Sequence, residues 1–328
     1  MEQITIIGDG GWGTALAILL NKKGIKTLLW SYSPVYAEYL NKTRENTKFL
    51  KGVKIPFDIE ITSDIETASC CNTVIFAVPC EYAGKIAEQF KNASFKTIVS
   101  ATKGIEKKTF KRPSEILSEN FTNSKIFVLS GPSISSEVAS FFPASVVLAG
   151  ESDTISTLQA LLTAPTFRVY ASNDIIGVEL GGALKNVIAI AAGISDGLGF
   201  GANAKASILT RGLVEIARLG VKMGARRETF SGLSGIGDLA TTCISPFSRN
   251  RTFGEEVGKG LKAEDIIKRT EMAIEGVGTA KSAYELSLKY QVDMPITSQI
   301  YKIIYEGKNP RKAVSDLMTR ELKKEDYF

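Results

Sequence analysis

The chain has 328 residues, 44% apolar and 23% charged, with a formal net charge of +5 and no histidine. That length accommodates two domains with a core each, and the Lys and Arg residues form no basic block, so nucleic acid is not an expected partner and a small anionic ligand fits better. The missing imidazole excludes Ser-His-Asp and Cys-His sites and His-ligated metals, so no metal site is expected and acid–base work falls to Lys, Asp, Glu, Tyr or Cys.

The first apolar strand begins about three residues from Met1, so no export signal is expected. The segment QITIIG reads as a buried strand, GWGTALAILLNKKG as a helix stopped by Gly24, and IKTLLW as a second strand, a βαβ unit. Between strand and helix lie Gly8, Gly10, Gly11 and Gly13, with the GxGxxG spacing that a dinucleotide-binding turn requires. In such a turn Gly8 makes the bend, Gly10 admits a pyrophosphate to the main chain, and Gly13 lets helix pack on strand. The helix N-terminus then offers free N–H groups and a favourable dipole.

Further strands are predicted at NTVIFAVP, FKTIVSATKG, SKIFVLSGPS and ASVVLAG, alternating with helical segments such as YAGKIAEQFKN. This alternation predicts a parallel, doubly wound sheet over residues 1–172, with Pro79, Lys103 and the GPS of Gly131–Ser133 at the strand C-termini where ligands gather. Beyond Ser172 the texture becomes helical, in NDIIGVELGGALKNVIAIAAGISDGL, AKASILTRGLVEIARLGVKMG, AEDIIKRT and GVGTAKSAYELSLKY, which predicts an all-helical domain over residues 173–328. The longest apolar stretch, Val187 to Ile194, reads as too short to cross a bilayer, so a cytoplasmic protein without stable membrane insertion is expected. Cys70, Cys71, Cys80 and Cys243 form no CxxC pair and read as buried thiols in a reducing compartment.

Lys185 stands out because nearly all its neighbours in GGALKNVIAIAAG are small or apolar. A buried ammonium there either has a purpose or destabilises its helix; desolvation and a second cation would lower its pKa, and the alternative is a lysine snorkelling to the surface. The SRNR segment, Ser248 to Arg251, suits a phosphate, because guanidinium is planar, permanently charged and bidentate.

The motifs GDGGWGTALA, SATKGIE, SGPS, ALKNVIAIAAGI, SGIGDLATTC and SRNRTFG occur in the order seen in bacterial glycerol-3-phosphate dehydrogenases, which the chain resembles from Ile4 to about Leu317. The resemblance implies an α/β Rossmann-type doubly wound domain joined to an all-helical domain of the 6-phosphogluconate dehydrogenase-like type; a homodimer is expected. It implies reversible reduction of dihydroxyacetone phosphate to sn-glycerol 3-phosphate by NADPH or NADH, which supplies the glycerophospholipid backbone. By family position Lys185 is the general acid/base and Lys103 a second cation near cofactor and substrate. Asp238 is to hold Lys185 or a substrate hydroxyl, or else to act as a helix N-cap, and Thr242 to add a hydroxyl contact. Gly131 and Ser133 are substrate positions, and Ser248, Arg249 and Asn250 grip the phosphate, with Arg249 also near the cofactor. Glu275 contacts the cofactor; Trp12 lines its cleft or anchors the helix start as a plain hydrophobe.

The chain departs from the family at several positions. Asp9 stands where a small neutral residue is usual; its carboxylate is expected to point away from the phosphates as a local cap, or else to weaken cofactor affinity. Tyr32 takes the place of an arginine, Phe49 that of a tyrosine and Ser135 that of an alanine, all cofactor positions in the family. The second strand ends in WSYS, without an acid for a ribose 2′-hydroxyl, and Ser31 and Ser33 could donate to a 2′-phosphate, so the reading leans to NADP with NAD accepted. Two other functions stay open: a lysine-using reductase of 3-hydroxy acids or 2-ketopantoate, against which SRNR and the loop tryptophan speak, and a non-catalytic NAD(P)-binding regulator.

Overall fold

Short apolar runs closed by glycine or polar residues form eight strands: β1 (Ile4–Ile7), β2 (Thr27–Trp30), β3 (Glu60–Thr62), β4 (Thr73–Phe76), β5 (Thr97–Ser100), β6 (Lys125–Ser130), β7 (Ala144–Ala149) and β8 (Phe167–Ser172). They make one sheet in the order β3-β2-β1-β4-β5-β6-β7-β8. The computed structural model describes residues 3–151, 153–270, 272–322 and 324–325. Strands β1 to β6 run parallel, as expected, but β7 lies antiparallel to β6 and β8 parallel to β7, so the sheet is mixed. Strands β3 and β8 were not predicted. The first is three residues long at a sheet edge, and the second alternates buried with exposed side chains, so neither shows the continuous apolar run of a central strand.

Helices α1 (Gly11–Lys22), α2 (Pro34–Thr43), α3 (Ile65–Ser69), α4 (Cys80–Gln89), α5 (Pro113–Asn120), α6 (Ser135–Ala139) and α7 (Ile155–Leu162) connect the strands. Apolar cores fill both faces of the sheet, one around Leu16, Leu29 and Phe127 and one around Trp30, Phe76 and Phe90. These elements belong to a first compact unit, Met1–Lys103 with Lys111–Ile175; the second is Gly104–Phe110 with Ile176–Phe328. The division expected after residue 172 thus falls at Ile175–Ile176, and the seven residues after Lys103 join the helical unit, where Ile105 enters the core. Cys80 and Cys243 are buried, whereas Cys71 is half-buried and Cys70 exposed, against the expectation of four buried thiols.

The second unit contains α8 (Ile175–Gly197), α9 (Ala202–Lys222), α10 (Asp238–Ile244), α11 (Arg249–Gly258), α12 (Ala263–Arg269), α13 (Glu275–Lys289), α14 (Pro295–Glu306) and α15 (Pro310–Met318). Helix α8 is its axis. With 23 residues and a mean hydropathy of 1.6 it is long and apolar enough to cross a membrane, which the shorter run read from the sequence is not, yet 89% of that window is buried inside the protein. A helix apolar all round is satisfied when other helices surround it. Glycines on both sides let α11 come close: a Cβ on Gly193 of α8 would lie 2.0 Å from the carbonyl oxygen of Arg251, and one on Gly254 of α11 would lie 2.1 Å from that of Ile190.

Helix α9 supplies an unusual cap. Met294, before α14, offers no side-chain bond to that helix; instead Glu215 accepts from the backbone N–H of Ile296 at 2.6 Å and of Thr297 at 3.0 Å, and from the Thr297 hydroxyl at 2.9 Å. Burial pushes the Glu215 carboxyl up to about 7 despite these bonds, and the charge of Asp293 adds to the rise.

Two predictions follow from this packing. Gly193→Ala gains at most ~1 kcal/mol of helix propensity but drives a methyl into backbone, which costs about 1–3 kcal/mol or more, so the melting temperature falls. A melting curve equal to the wild type's would contradict the close α8–α11 contact. Glu215 holds its proton in the folded state over the window from about 4.5 to about 7 where the unfolded chain has lost it, so its contribution is present below that window and is lost as pH rises through it. The loss is on the order of 3 kcal/mol. Denaturant unfolding at both ends of the window should show a steeper decline for the wild type than for Glu215→Gln; parallel declines would refute the assignment.

Candidate active site

The glycine turn follows β1 directly. Gly8 has a φ of +118°, a conformation costly for any side chain, and its carbonyl oxygen would stand 1.9 Å from a Cβ on Gly13, so the turn closes only with glycine at both places. Gly11 is packed under the carbonyl of Phe49, 2.6 Å from where its Cβ would be, with Ser135 beside it at 3.6 Å. Gly10 differs, for nothing lies within 4 Å of its Cβ position. It is the N-cap of α1, whose first turn has no side-chain cap and no acid. An open backbone corner at an uncapped helix N-terminus fits the pyrophosphate of a dinucleotide.

Around this turn gather Phe49 and Ser135, brought from distant parts of the chain. Buried Asn46 joins them: its amide donates to the Asp9 carbonyl at 2.7 Å and to Thr14 Oγ1 at 2.7 Å, while its oxygen accepts from Phe49 N at 3.1 Å and from the Tyr36 hydroxyl at 2.7 Å. The sequence carries no signal for Asn46, a polar residue in a loop whose importance lies in contacts across the fold. Trp12 is half-buried and packs on the sheet core, its ring 6.3 Å from that of Phe167, with its indole nitrogen buried and unbonded. Asp9 is not the local cap expected of it. Its carboxylate accepts from the Ser31 hydroxyl at 2.5 Å, just past the end of β2. Burial raises that carboxyl above its usual value, while the Ser31 bond and the charge of Lys48 pull it down. Tyr32 is exposed and carries Lys85, whose ammonium donates to its hydroxyl at 3.1 Å and lies 5.3 Å from the ring centre.

Beyond the C-termini of β5 and β6, Lys103 donates to the Gly131 carbonyl at 3.0 Å, and the Ser133 hydroxyl donates to the same oxygen at 2.9 Å. Residues 28 apart in sequence thus form one cationic, hydroxyl-bearing corner on the first unit.

The second unit holds the other expected residues. Lys185 projects from the middle of α8 and is the only buried Lys or Arg among the described residues, 6% exposed. Its ammonium donates to the carboxylate of Asp238, itself 1% exposed, in the first turn of α10. Gly181, one turn before Lys185, makes the pairing possible: its missing Cβ would sit 2.3 Å from the Ser234 carbonyl, so the kinked turn Leu233–Gly237 that leads into α10 lies directly on α8. Thr242 does share the α10 helix with Asp238, but its hydroxyl donates to the Asp238 backbone carbonyl at 2.6 Å. Cys243, on the same helix, is no candidate for proton transfer, because burial pushes its thiol up to about 12.

Ser248 is the N-cap of α11, accepting from Arg251 N at 3.2 Å. Arg249 follows it, exposed, with Nη1 donating to the Ala273 carbonyl at 2.9 Å; surrounding protein desolvates the guanidinium and lowers its pKa, which the charge of Glu275 at the start of α13 partly offsets. Buried Asn250 donates to Asn186 Oδ1 at 2.9 Å and accepts from Gly276 N at 2.9 Å, tying α8, α11 and α13 together. Asn186 was not singled out in the sequence, although a second polar residue beside Lys185 in an apolar run is the same kind of signal. Arg251 pairs with Asp196 of α8 at 2.7 Å and so braces α11.

Models of the NAD-dependent glycerol-3-phosphate dehydrogenase N-terminus and C-terminus match residues 3–156 and 174–315. A glycerol-3-phosphate dehydrogenase [NAD(P)+] of Chlorobium limicola is 46% identical across 99% of this chain and 100% of its own length, and one of a Thermoanaerobacter strain is 46% identical across 98% of both. The crystal structure of the Coxiella burnetii glycerol-3-phosphate dehydrogenase superposes with a TM-score of 0.93 at 35% identity, covering 97% of this chain and 99% of that one. A ketopantoate reductase from Ralstonia eutropha, 14% identical with a TM-score of 0.61, shares the fold alone. The chain belongs to the family of NAD-dependent glycerol-3-phosphate dehydrogenases.

Proposed function

We propose that the protein reduces dihydroxyacetone phosphate to sn-glycerol 3-phosphate, the backbone of glycerophospholipids, with Lys185 as the general acid and the first unit as the binder of NAD(P)H. The bound dinucleotide supplies the hydride that adds to the carbonyl carbon. As that bond forms, the carbonyl oxygen gains negative charge and takes a proton from Lys185 Nζ; in the oxidation direction the neutral amine accepts the hydroxyl proton.

The observation that carries this reading is the ammonium of Lys185 buried against Asp238. Burying a charge is expensive unless it is paired, and a chain that buries only one described cation, in its most apolar helix, spends stability on chemistry. Asp238 is a positioning residue that fixes the direction of Nζ and supplies the counter-charge that burial demands. The chain has no histidine, and the neighbouring Cys243 is held as a thiol, so at this place in the second unit the proposed donor is the paired ammonium of Lys185.

Arg249 and the N-terminus of α11 are the proposed grip on the substrate phosphate. A guanidinium of which only Nη1 is engaged among the described residues and the first-turn N–H groups of a ten-residue helix both favour a dianion. Asn250 keeps one amide hydrogen beyond its bonds to Asn186 and Gly276 and would add a neutral donor; Ser248, as the cap, holds the helix start in place. Thr242 would receive a substrate hydroxyl at its own oxygen. On the first unit Lys103, Gly131 and Ser133 form the proposed second cationic corner, and Gly8, Gly10, Gly11, Gly13, Trp12, Tyr32, Phe49 and Ser135, with Glu275 on the second unit, are the proposed cofactor positions.

Binding the remote phosphate positions the carbonyl for reaction, so the two halves of the proposal separate kinetically. Lys185→Ala should lower kcat by 10² to 10⁴ while the dissociation constant for the dinucleotide, measured without substrate, stays within a few fold. Near-normal turnover in that variant would falsify the acid–base assignment. Arg249→Ala should instead raise KM for dihydroxyacetone phosphate by at least tenfold, the loss expected of one charge-assisted phosphate contact, and unphosphorylated dihydroxyacetone should react equally poorly with both proteins. An unchanged KM would move the phosphate site elsewhere.

A further inference from the structure

We infer that Asp9 sets the nucleotide preference of this chain, favouring NAD(H) over NADP(H) from within the glycine turn. The inference rests on the dinucleotide-binding reading above and names the residue that chooses between its two forms. In dinucleotide-binding folds an acid near the end of the second strand bonds the adenosine ribose 2′-hydroxyl and repels a 2′-phosphate. The residues after β2, Ser31, Tyr32 and Ser33, include no acid, which by itself leans the reading to NADP. The structure brings a carboxylate to that place from another part of the chain. Asp9 Oδ2 accepts from the hydroxyl of Ser31, the residue directly after β2, at 2.5 Å.

The arrangement is held on every side. The Asp9 carbonyl accepts from Asn46 Nδ2 at 2.7 Å and from Thr14 Oγ1 at 3.3 Å, and Asn46 is completely buried. A backbone pinned in this way aims the side chain at β2. Ser31 is the only side chain that bonds this carboxylate among the described residues, which leaves acceptor capacity on a half-buried group.

The same contacts take up the nearest donor that a 2′-phosphate would use. The Ser31 hydroxyl is given to Asp9, and Ser33 is the N-cap of α2, its oxygen accepting from Tyr36 N at 3.3 Å. Of the nearby cations, Lys85 is engaged with the hydroxyl and the ring face of Tyr32, and the charge of Lys48 acts on the Asp9 carboxylate itself. A doubly charged 2′-phosphate next to the Asp9 carboxylate would meet like charge at close range, where partial burial weakens screening. An acid within a pyrophosphate-binding turn, unfavourable if it faced the phosphates, is tolerable when turned to the ribose side.

Titration of NAD+ and NADP+ into the full chain without substrate, followed by calorimetry or by quenching of tryptophan fluorescence, tests this. Wild type should bind NAD+ at least tenfold more tightly than NADP+. Asp9→Asn, which keeps size and polarity but removes the charge, should shift that ratio by tenfold or more towards NADP+, and Asp9→Ser should shift it in the same direction. A wild type that prefers NADP+, or a ratio that moves by less than twofold in both variants, overturns the inference. If dihydroxyacetone phosphate is still reduced in that case, the proposed function stands and only the role of Asp9 fails. A chain that binds neither dinucleotide overturns both.

Discussion

A buried ammonium needs a buried counter-charge, and the second unit is arranged around that requirement. Helix α8 is apolar on all sides and would accommodate Leu or Met at position 185 more cheaply than Lys. The pair forms because Gly181 lets the Leu233–Gly237 turn rest on α8, so that Asp238 enters the first turn of α10 at the height of Lys185. The pattern repeats along the helix. Gly193 receives the backbone of α11, and Asn250 near the start of that helix reaches Asn186, the neighbour of Lys185. A Cβ on Gly276 would lie 2.7 Å from Asn250 Oδ1, so the start of α13 closes on the same asparagine. Each glycine lowers helix propensity by about 1 kcal/mol, and in exchange polar groups of α10 and α11 come within hydrogen-bonding reach of one buried helix.

The first unit solves a related problem with main-chain groups. Its turn must leave backbone N–H groups uncapped and accessible, yet hold them still. Close contacts at Gly8, Gly11 and Gly13 provide rigidity, and the empty surroundings of Gly10 provide access. Asn46 fastens the turn from the far side by bonding two backbone groups and two side chains. Asp9 then becomes intelligible as part of the same framework, since the bonds that fix its carbonyl also fix where its carboxylate points.

The polar residues of the α11 start divide into those that build and those left available. Ser248 caps, Arg251 braces α11 against Asp196 of α8, and Asn250 ties three helices, whereas Arg249 remains exposed and, among the described residues, bonds one backbone acceptor. Four adjacent residues of similar polarity therefore carry different burdens, and the helix turn sends each in a different direction.

Much was legible in the sequence wherever local chemistry decides structure. The βαβ unit with its glycine spacing, the change to helical texture, the six motifs that mark the family, and Lys185 as a cation in an apolar run all follow from residue order. What was hidden depends on partners distant in the chain. The reversal of β7 and β8 arises from sheet pairing, the membership of residues 104–110 in the helical unit from core packing, and the α8 length from glycines that read as interruptions but serve as contact points. Asp9 shows the difference most sharply: its sequence position predicts repulsion or a local cap, and only the folded chain, by setting Ser31 beside it across 22 residues, gives its charge a direction. Residue type and spacing determine which groups are available; the direction of a charged side chain depends on what the tertiary structure packs against it.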